Sequence, residues 1–391
     1  MTGNWKGNWT ETRENYARWW EHRGLVLNLG DFPAAVPRVA DDPGEALTPK
    51  QKHTDATWVA MRSRALRADR DHGIGDILPV AFVDWGTVSL AAYLGAEVEL
   101  GMETIWYHPR PGSPRAWGEL RFSPDAPWFR IHEEIYRRSV RVAAGDYVIG
   151  QPGIGSNIEV LAALRGAQDL MVDLVEEPEW VQEKLWEINQ AFFAAYSRIH
   201  DLIKLPDGSI CSSYFALWGP GRTSVITLDP VAMISPAMFE QYVLPPLVEQ
   251  VRWLDHSMLH VDGTAALRHL DLILGIEELD AVQWTPEPGV PGGGDPRWYE
   301  LYRRLRAAGK SVMAILVKPE EVVPLLDAVG PEGMYITAYC DNARQAEEIL
   351  CAVAPYRRSS ARIGHDFPRT PEADQRRVCG GEVMRKERNA L

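Results

Sequence analysis

Paired cysteine motifs are absent from this chain. Its four cysteines, Cys211, Cys340, Cys351 and Cys379, are too few and too scattered for a disulfide framework in 391 residues, so reduced thiols are expected. Basic clusters are scarce as well. With 41 Lys and Arg against 54 Asp and Glu the formal net charge is −13, which leaves no footprint for nucleic acid and no basic membrane-binding face. No apolar run approaches the ~20 residues of a membrane helix, and the N-terminus lacks the charged-then-apolar pattern of a signal peptide. An acidic cytoplasmic protein is therefore expected, without nucleic-acid or membrane partners. There is no HExxH pair and no G-x-S-x-G elbow, and the turn 151–155 lacks the spacing of a dinucleotide or phosphate loop. Those absences leave zinc-protease, serine-hydrolase and nucleotide chemistry without support.

What is present is apolar content enough for a large core, 46% of residues, and no interior linker. One domain over 76–358 is expected, preceded by an extension over 1–75 and followed by a mobile tail over 359–391. The extension contains helical pieces near 11–23 and 49–70. Its cluster Trp5, Trp9, Trp19 and Trp20 reads as a surface that docks on the domain or on another subunit of a homo-oligomer. Arg62, Arg64, Arg67 and Arg70 form a basic run, either a solvated helix face or a grip for carboxylates.

Periodicity supplies the fold class. Val181, Leu185, Ile188, Phe192, Tyr196, Ile199 and Ile203 recur every three or four residues after Pro178, which predicts one long amphipathic helix. Ser235-Pro236 opens another helix, which Pro245-Pro246 should interrupt. From 257 onward, strands at 257–261, 279–284, 311–317 and 333–339 alternate with helices at 264–274, 296–308, 319–329 and 342–354. Such β-then-α units require parallel pairing, because each helix carries the chain back across the sheet. Adding strands at 77–83, 147–150 and 209–217 gives seven, with an eighth expected within 100–145. The fold class is α/β, a (β/α)8 TIM barrel; a doubly wound open sheet is the alternative.

In such a barrel the chemistry sits where strands end. His260 and Asp262 stand two apart at one strand end, so both side chains point the same way. Cys340 follows a later strand, and an imidazole, a carboxylate and a thiolate form an acceptable first shell for Zn²⁺ with a fourth position open. Hydrogen-bonded loop structure is the competing reading of the same residues. Cys211, at the start of its strand, is placed at the opposite, structural end. Asp84 and Gln283 are candidate catalytic polar groups at strand ends. Trp106, Tyr107, His108, Asn157 and Trp284 are candidate substrate-binding residues, and Glu103 is a weaker one. The segment 286–296, with Gly289 and Gly292-Gly293-Gly294, reads as a mobile lid or as a flexible connection.

The series Ser235-Pro236-Ala237-Met238-Phe239, Pro245-Pro246, Leu259-His260-Val261-Asp262-Gly263, Leu270-Asp271 and Leu279-Asp280-Ala281-Val282-Gln283-Trp284 resembles the uroporphyrinogen decarboxylase superfamily. Leu164-Arg165-Gly166, Asp173 and Glu177-Pro178-Glu179 are similar in the same way, and the likeness spans about 75–356. The resemblance implies a TIM barrel and one of two chemistries. Its cofactor-free decarboxylases hold substrate carboxylates with an Arg-rich N-terminal signature that is not found here; in that branch Asp84 or Asp262 would be the catalytic group, with Arg62, Arg64 or Arg222 as carboxylate clamps. Its corrinoid-linked methyltransferases bind zinc through an H-x-C motif and a later Cys, to which His260, Asp262 in place of Cys, and Cys340 are similar. That branch implies methyl transfer between a small methylated substrate and a corrinoid carried by a partner protein. A ligand- or corrinoid-docking barrel without catalysis is the third expectation.

Overall fold

The computed structural model describes residues 6–30, 32–33, 47–68, 70–71, 73–83, 85–102 and 104–361. Asp84, Glu103, Trp5, Cys379 and the tail beyond residue 361 lie outside them. The central element is a parallel six-stranded sheet in the order Leu25–Asn28, Met334–Thr337, Ser311–Ala314, Ala281–Thr285, His256–Asp262, Thr223–Ile226. Its four middle strands are those expected from the β-then-α alternation, and helices Tyr299–Ala307, Val322–Val329 and Ala343–Ala361 follow three of them. Pairing runs unbroken from one edge at Leu25–Asn28 to the other at Thr223–Ile226.

Both edge strands differ from the sequence expectation. Leu25–Asn28 lies inside the presumed extension, yet it pairs residue for residue with Met334–Thr337. The segment 209–217 supplies only Ile210–Cys211, which turns back antiparallel on Trp218–Gly219, and the sheet strand is Thr223–Ile226 just beyond. Pro220 and Gly221 break the run between them, so the apolar stretch was one hairpin too early. Within 100–145 there is no parallel strand among the described residues. Instead Glu97–Leu100 and Ile105–His108 form an antiparallel hairpin, and Pro127–Ala143 is a helix. Val80–Ala81 and Val148–Ile149 pair parallel with each other, and Gln151 bridges to Ser212.

Strand alternation divides the core in two. Leu25, Leu27, Leu259, Val261, Val282, Trp284, Val312 and Ile336 face the helix layer. Val26, Met258, Ala281, Met313 and Tyr335 face inward, where helix Trp9–Trp20 covers them with Tyr16, Trp19 and Trp20. Trp9, Trp19 and Trp20 of the tryptophan cluster therefore dock on their own chain, and Trp20 Nε1 donates to Trp218 O at 3.0 Å. Cys211 sits fully buried in this inner cluster, and burial pushes its thiol far up. Cys211 and Cys340 are free thiols.

The long helix spans Pro178–Ile203, and all seven residues of its predicted stripe are buried. Pro245-Pro246 does not end its helix. Proline cannot return a hydrogen bond to the preceding turn, and the chain adapts by widening into a π turn over Phe239–Val243 before Leu244–Trp253 continues.

Asp76 ties both ends of the chain to the sheet. Its fully buried carboxylate accepts from Asn15 Nδ2 and from the backbone N–H of Leu27, each at 2.8 Å, and pairs with the Arg357 guanidinium. Asp76→Ala orphans all three donors. It should lower stability by about 2–3 kcal/mol in urea unfolding, and an unchanged midpoint would show that these donors find other partners.

Candidate functional site

Polar side chains gather on the inward face at the C-terminal ends of the strands. His260 registers with Gln283, and Asp262 with Thr285, so all four share that face. The imidazole Nδ1 of His260 is hydrogen-bonded to Gln283 Oε1. Gln283 Nε2 in turn donates to Thr285 Oγ1 at 2.8 Å, so the amide is held with its oxygen toward the imidazole. An acceptor at Nδ1 places the ring proton there and leaves the Nε2 lone pair free. Nε2 lies 3.8 Å from Asp229 Oδ1.

Asp229, His260 and Asp262 each offer one ligand atom, all within 4.8 Å of one another; among the described residues they are the one such group of three. Cys340 does not belong to it. Its backbone N–H donates to Leu29 O at 3.1 Å, and its thiol lies 3.7 Å from Ala338 O. Burial and Asp341 push that thiol up to about 11, so it resists becoming a thiolate ligand. The grouping thus differs from the sequence expectation, with Asp229 where Cys340 was placed. The same strand-end argument reaches Asp229 once the strand is at Thr223–Ile226, three residues before it.

One imidazole and two carboxylates would give a neutral site around a divalent cation, and these donors need to close by only about 1 Å to reach bonding range. The adjoining cavity is small, about 10 Å³ for the centre of a water-sized body, and its walls are mostly apolar, with Leu228, Val231, Phe239, Leu259, Val261 and Ile273 beside Asp229, His260 and Asp262, so the fit of an ion rests on the three donors. The residues fit such an ion. A larger cavity of about 890 Å³ lies elsewhere, beside Arg222 and Asp255, which precede their strands at the opposite end of the sheet. Its charges are already engaged, Arg222 with Asp255 at 3.1 Å and Lys204 with Asp201 at 2.8 Å. Arg222 thus stands at the start of its strand, away from the strand-end group.

A third carboxyl stands behind the group. Glu159, in the first turn of helix Asn157–Arg165, is 6% exposed, and its Oε2 has no partner. Burial, with Asp229 adding, pushes it up to about 8 against the opposing hydrogen bonds from Thr227 and Thr87. Asp229 is raised as well, by partial burial and by Asp262, while His260 opposes. No motif marked Glu159, because it lies in an apolar helix turn.

The structure places the other candidates apart from this group. Trp284 faces the helix layer, packing on Trp298 at 4.8 Å, since it alternates with Gln283 on the strand. Asn157 is buried with φ +51; its Nδ2 donates to Val243 O at 3.0 Å and its Oδ1 accepts from Ile158 N, so it builds the helix start. Trp106, Tyr107 and His108 ride on the antiparallel hairpin. There the Tyr107 hydroxyl donates to Trp85 O, His108 pairs with Glu99 at 2.7 Å, and Trp106 is 58% exposed. The glycine-rich segment is no free lid. A Cβ at Gly292 would fall 2.1 Å from Leu316 O and one at Gly293 2.3 Å from Ile315 O, so these glycines allow a tight backbone seam.

The fold and this strand-end group define a mixed α/β protein with its polar centre at the C-terminal edge of a parallel sheet. By sequence, the chain matches no protein-family model and no curated protein. By structure it is similar to a methyltransferase from Methanosarcina mazei, with a TM-score of 0.51 and 11% identity over 77% of this chain and 86% of that one. At that identity the likeness shows a shared fold. No helix among the described residues is long and apolar enough to cross a membrane.

Proposed function

We propose that this chain is a metal-dependent methyltransferase on a (β/α)8 barrel of the uroporphyrinogen decarboxylase superfamily. It would hold a divalent cation, zinc in the first instance, through Asp229, His260 and Asp262, and move a methyl group between a small substrate and a corrinoid on a partner protein. The observation that carries the reading is the Gln283–His260 bond, which turns Nε2 toward two carboxylates as an oriented ligand requires. The cation supplies Lewis acidity, which stabilises the anion left when a methyl group departs. The chain's own residues orient: Gln283 sets the His260 tautomer, Thr285 sets Gln283, and Asp229 and Asp262 neutralise the cation's charge. Phe82, Leu316 and Tyr339 follow strand ends with 44%, 53% and 64% exposure, and that apolar rim supports the docking of a partner at the mouth.

The test is methyl transfer from small methylated thiols, amines or ethers to free cob(I)alamin by zinc-loaded protein, followed by the cobalt spectrum. No transfer from any of these classes, with metal bound, would count against the reading. Within it, Gln283→Leu keeps an apolar volume but frees the imidazole. Zinc affinity should fall about 10- to 100-fold in a competition titration, and an unchanged affinity would remove Gln283 from the orienting role.

A further inference from the structure

The turn between the hairpin strands Ile210–Cys211 and Trp218–Gly219 carries two consecutive non-glycine residues in the left-handed region, Phe215 at φ 63 and Ala216 at φ 47. A side chain disfavours that conformation, and it persists only where surrounding contacts over-determine it. Here they do. Tyr335 Oη donates to Phe215 O at 2.9 Å, and Tyr16 Oη lies 2.9 Å from Ala216 O and 3.0 Å from Tyr335 Oη. The one Tyr16 hydroxyl proton is thus shared between a carbonyl and the neighbouring phenol. Both tyrosines are fully buried, and their rings meet edge to face at 5.6 Å. On its other side the turn presents the Phe215 ring to the His260 imidazole, with centroids 5.4 Å apart and planes inclined by 38°.

We propose that Tyr16 and Tyr335 are positioning residues of the His260 site, acting through the strained turn to hold Phe215 against the imidazole. The inference rests on His260 being the functional centre. Gln283 fixes which ring nitrogen carries the proton, and Phe215 fixes the plane in which the other nitrogen points. The two contacts approach the imidazole by different routes, one along the sheet register and one from the inner core. Tyr16 belongs to helix Trp9–Trp20, so the N-terminal helix that covers the inner face also sets the geometry of the site above it. A turn needed only for folding would have no reason to carry its strain beneath an aromatic side chain packed on His260.

The experiment uses full-length protein and the variants Tyr16→Phe, Tyr335→Phe and Phe215→Leu, which keep the packing volume while deleting a hydroxyl or the aromatic ring. Thermal unfolding of each identifies the variants that fold, and two independent tyrosine variants keep the test open if one does not. The first readout needs no metal: the ¹⁵N signals of the His260 ring, assigned with His260→Asn, in chelator-treated protein. They should shift in all three variants. The second is zinc affinity, expected to fall about tenfold in each. Tyr335→Phe added to Phe215→Leu should produce no further loss, because the tyrosine acts through that ring. Unmoved ¹⁵N signals in the folded tyrosine variants overturn the proposal, as does a full additional loss in the Phe215→Leu background. Wild-type protein that binds no zinc defeats the metal reading alone, and the ring signals then decide the positioning role.

Discussion

Purified protein should bind one equivalent of zinc, and His260→Ala should abolish that binding. Asp229→Ala and Asp262→Ala should each weaken it by more than about 100-fold, beyond the range typical of outer residues that only orient a ligand. The argument is geometric and electrostatic. The three ligand atoms lie within 4.8 Å of one another, and two carboxylates with one imidazole cancel the charge of a divalent ion. Cys340 is the discriminating control. Its thiol, pushed up to about 11, stands apart from the group, so Cys340→Ser should leave zinc affinity within a few-fold of the parent. Metal analysis and competition titration read all four variants. Stoichiometric zinc retained in His260→Ala would rule out this site, and zinc lost on Cys340→Ser would restore the cysteine as a ligand in place of Asp229.

The second large effect concerns Glu159 in metal-free protein. Burial and Asp229 raise its carboxyl to about 8, whereas the unfolded chain ionises near 4.5. As pH rises above 4.5 the unfolded state gives up this proton first, so the neutral carboxyl's contribution fades from there and is gone above about 8. Between pH 5 and 8 the loss amounts to roughly 3 kcal/mol, at about 1.4 kcal/mol per unit of displacement. Glu159→Gln keeps the shape and removes the ionisation, so its stability should depend less on pH by about that amount. Asp229, raised in the same direction, remains in the variant and leaves a smaller slope. Urea midpoints in the presence of a chelator measure both proteins, and parallel pH profiles would show that Glu159 ionises as freely in the folded chain as in the unfolded one.

Local patterns were legible where one physical rule governed them. The stripe from Val181 to Ile203 and the four middle strands follow from periodicity, because burial on one face or between two layers repeats in sequence. The pairing of His260 with Asp262 on one side of a strand was legible for the same reason. Trp284 was readable too, since alternation with Gln283 already sends it to the other face, yet a pocket role had been expected of it. The edge strand Leu25–Asn28 was not legible. Four buried residues beside a tryptophan-rich helix carry no alternation, and only the unpaired edge of Met334–Thr337 makes them a strand.

The chain's composition and its repeated strand-then-helix order determined by themselves an α/β protein with a parallel sheet, its polar residues concentrated at strand ends. Those properties are local, and each is written within a window of some ten residues. Which polar residues meet was decided only by the tertiary structure. Asp229 and His260 are 31 positions apart and come together because parallel strands Thr223–Ile226 and His256–Asp262 are neighbours in register. The strained turn at Phe215 depends in the same way on hydroxyls supplied 200 residues before Ala216 and 120 after Phe215. Sequence spacing carries no information about such meetings, because the sheet order that creates them is settled by packing of the whole core.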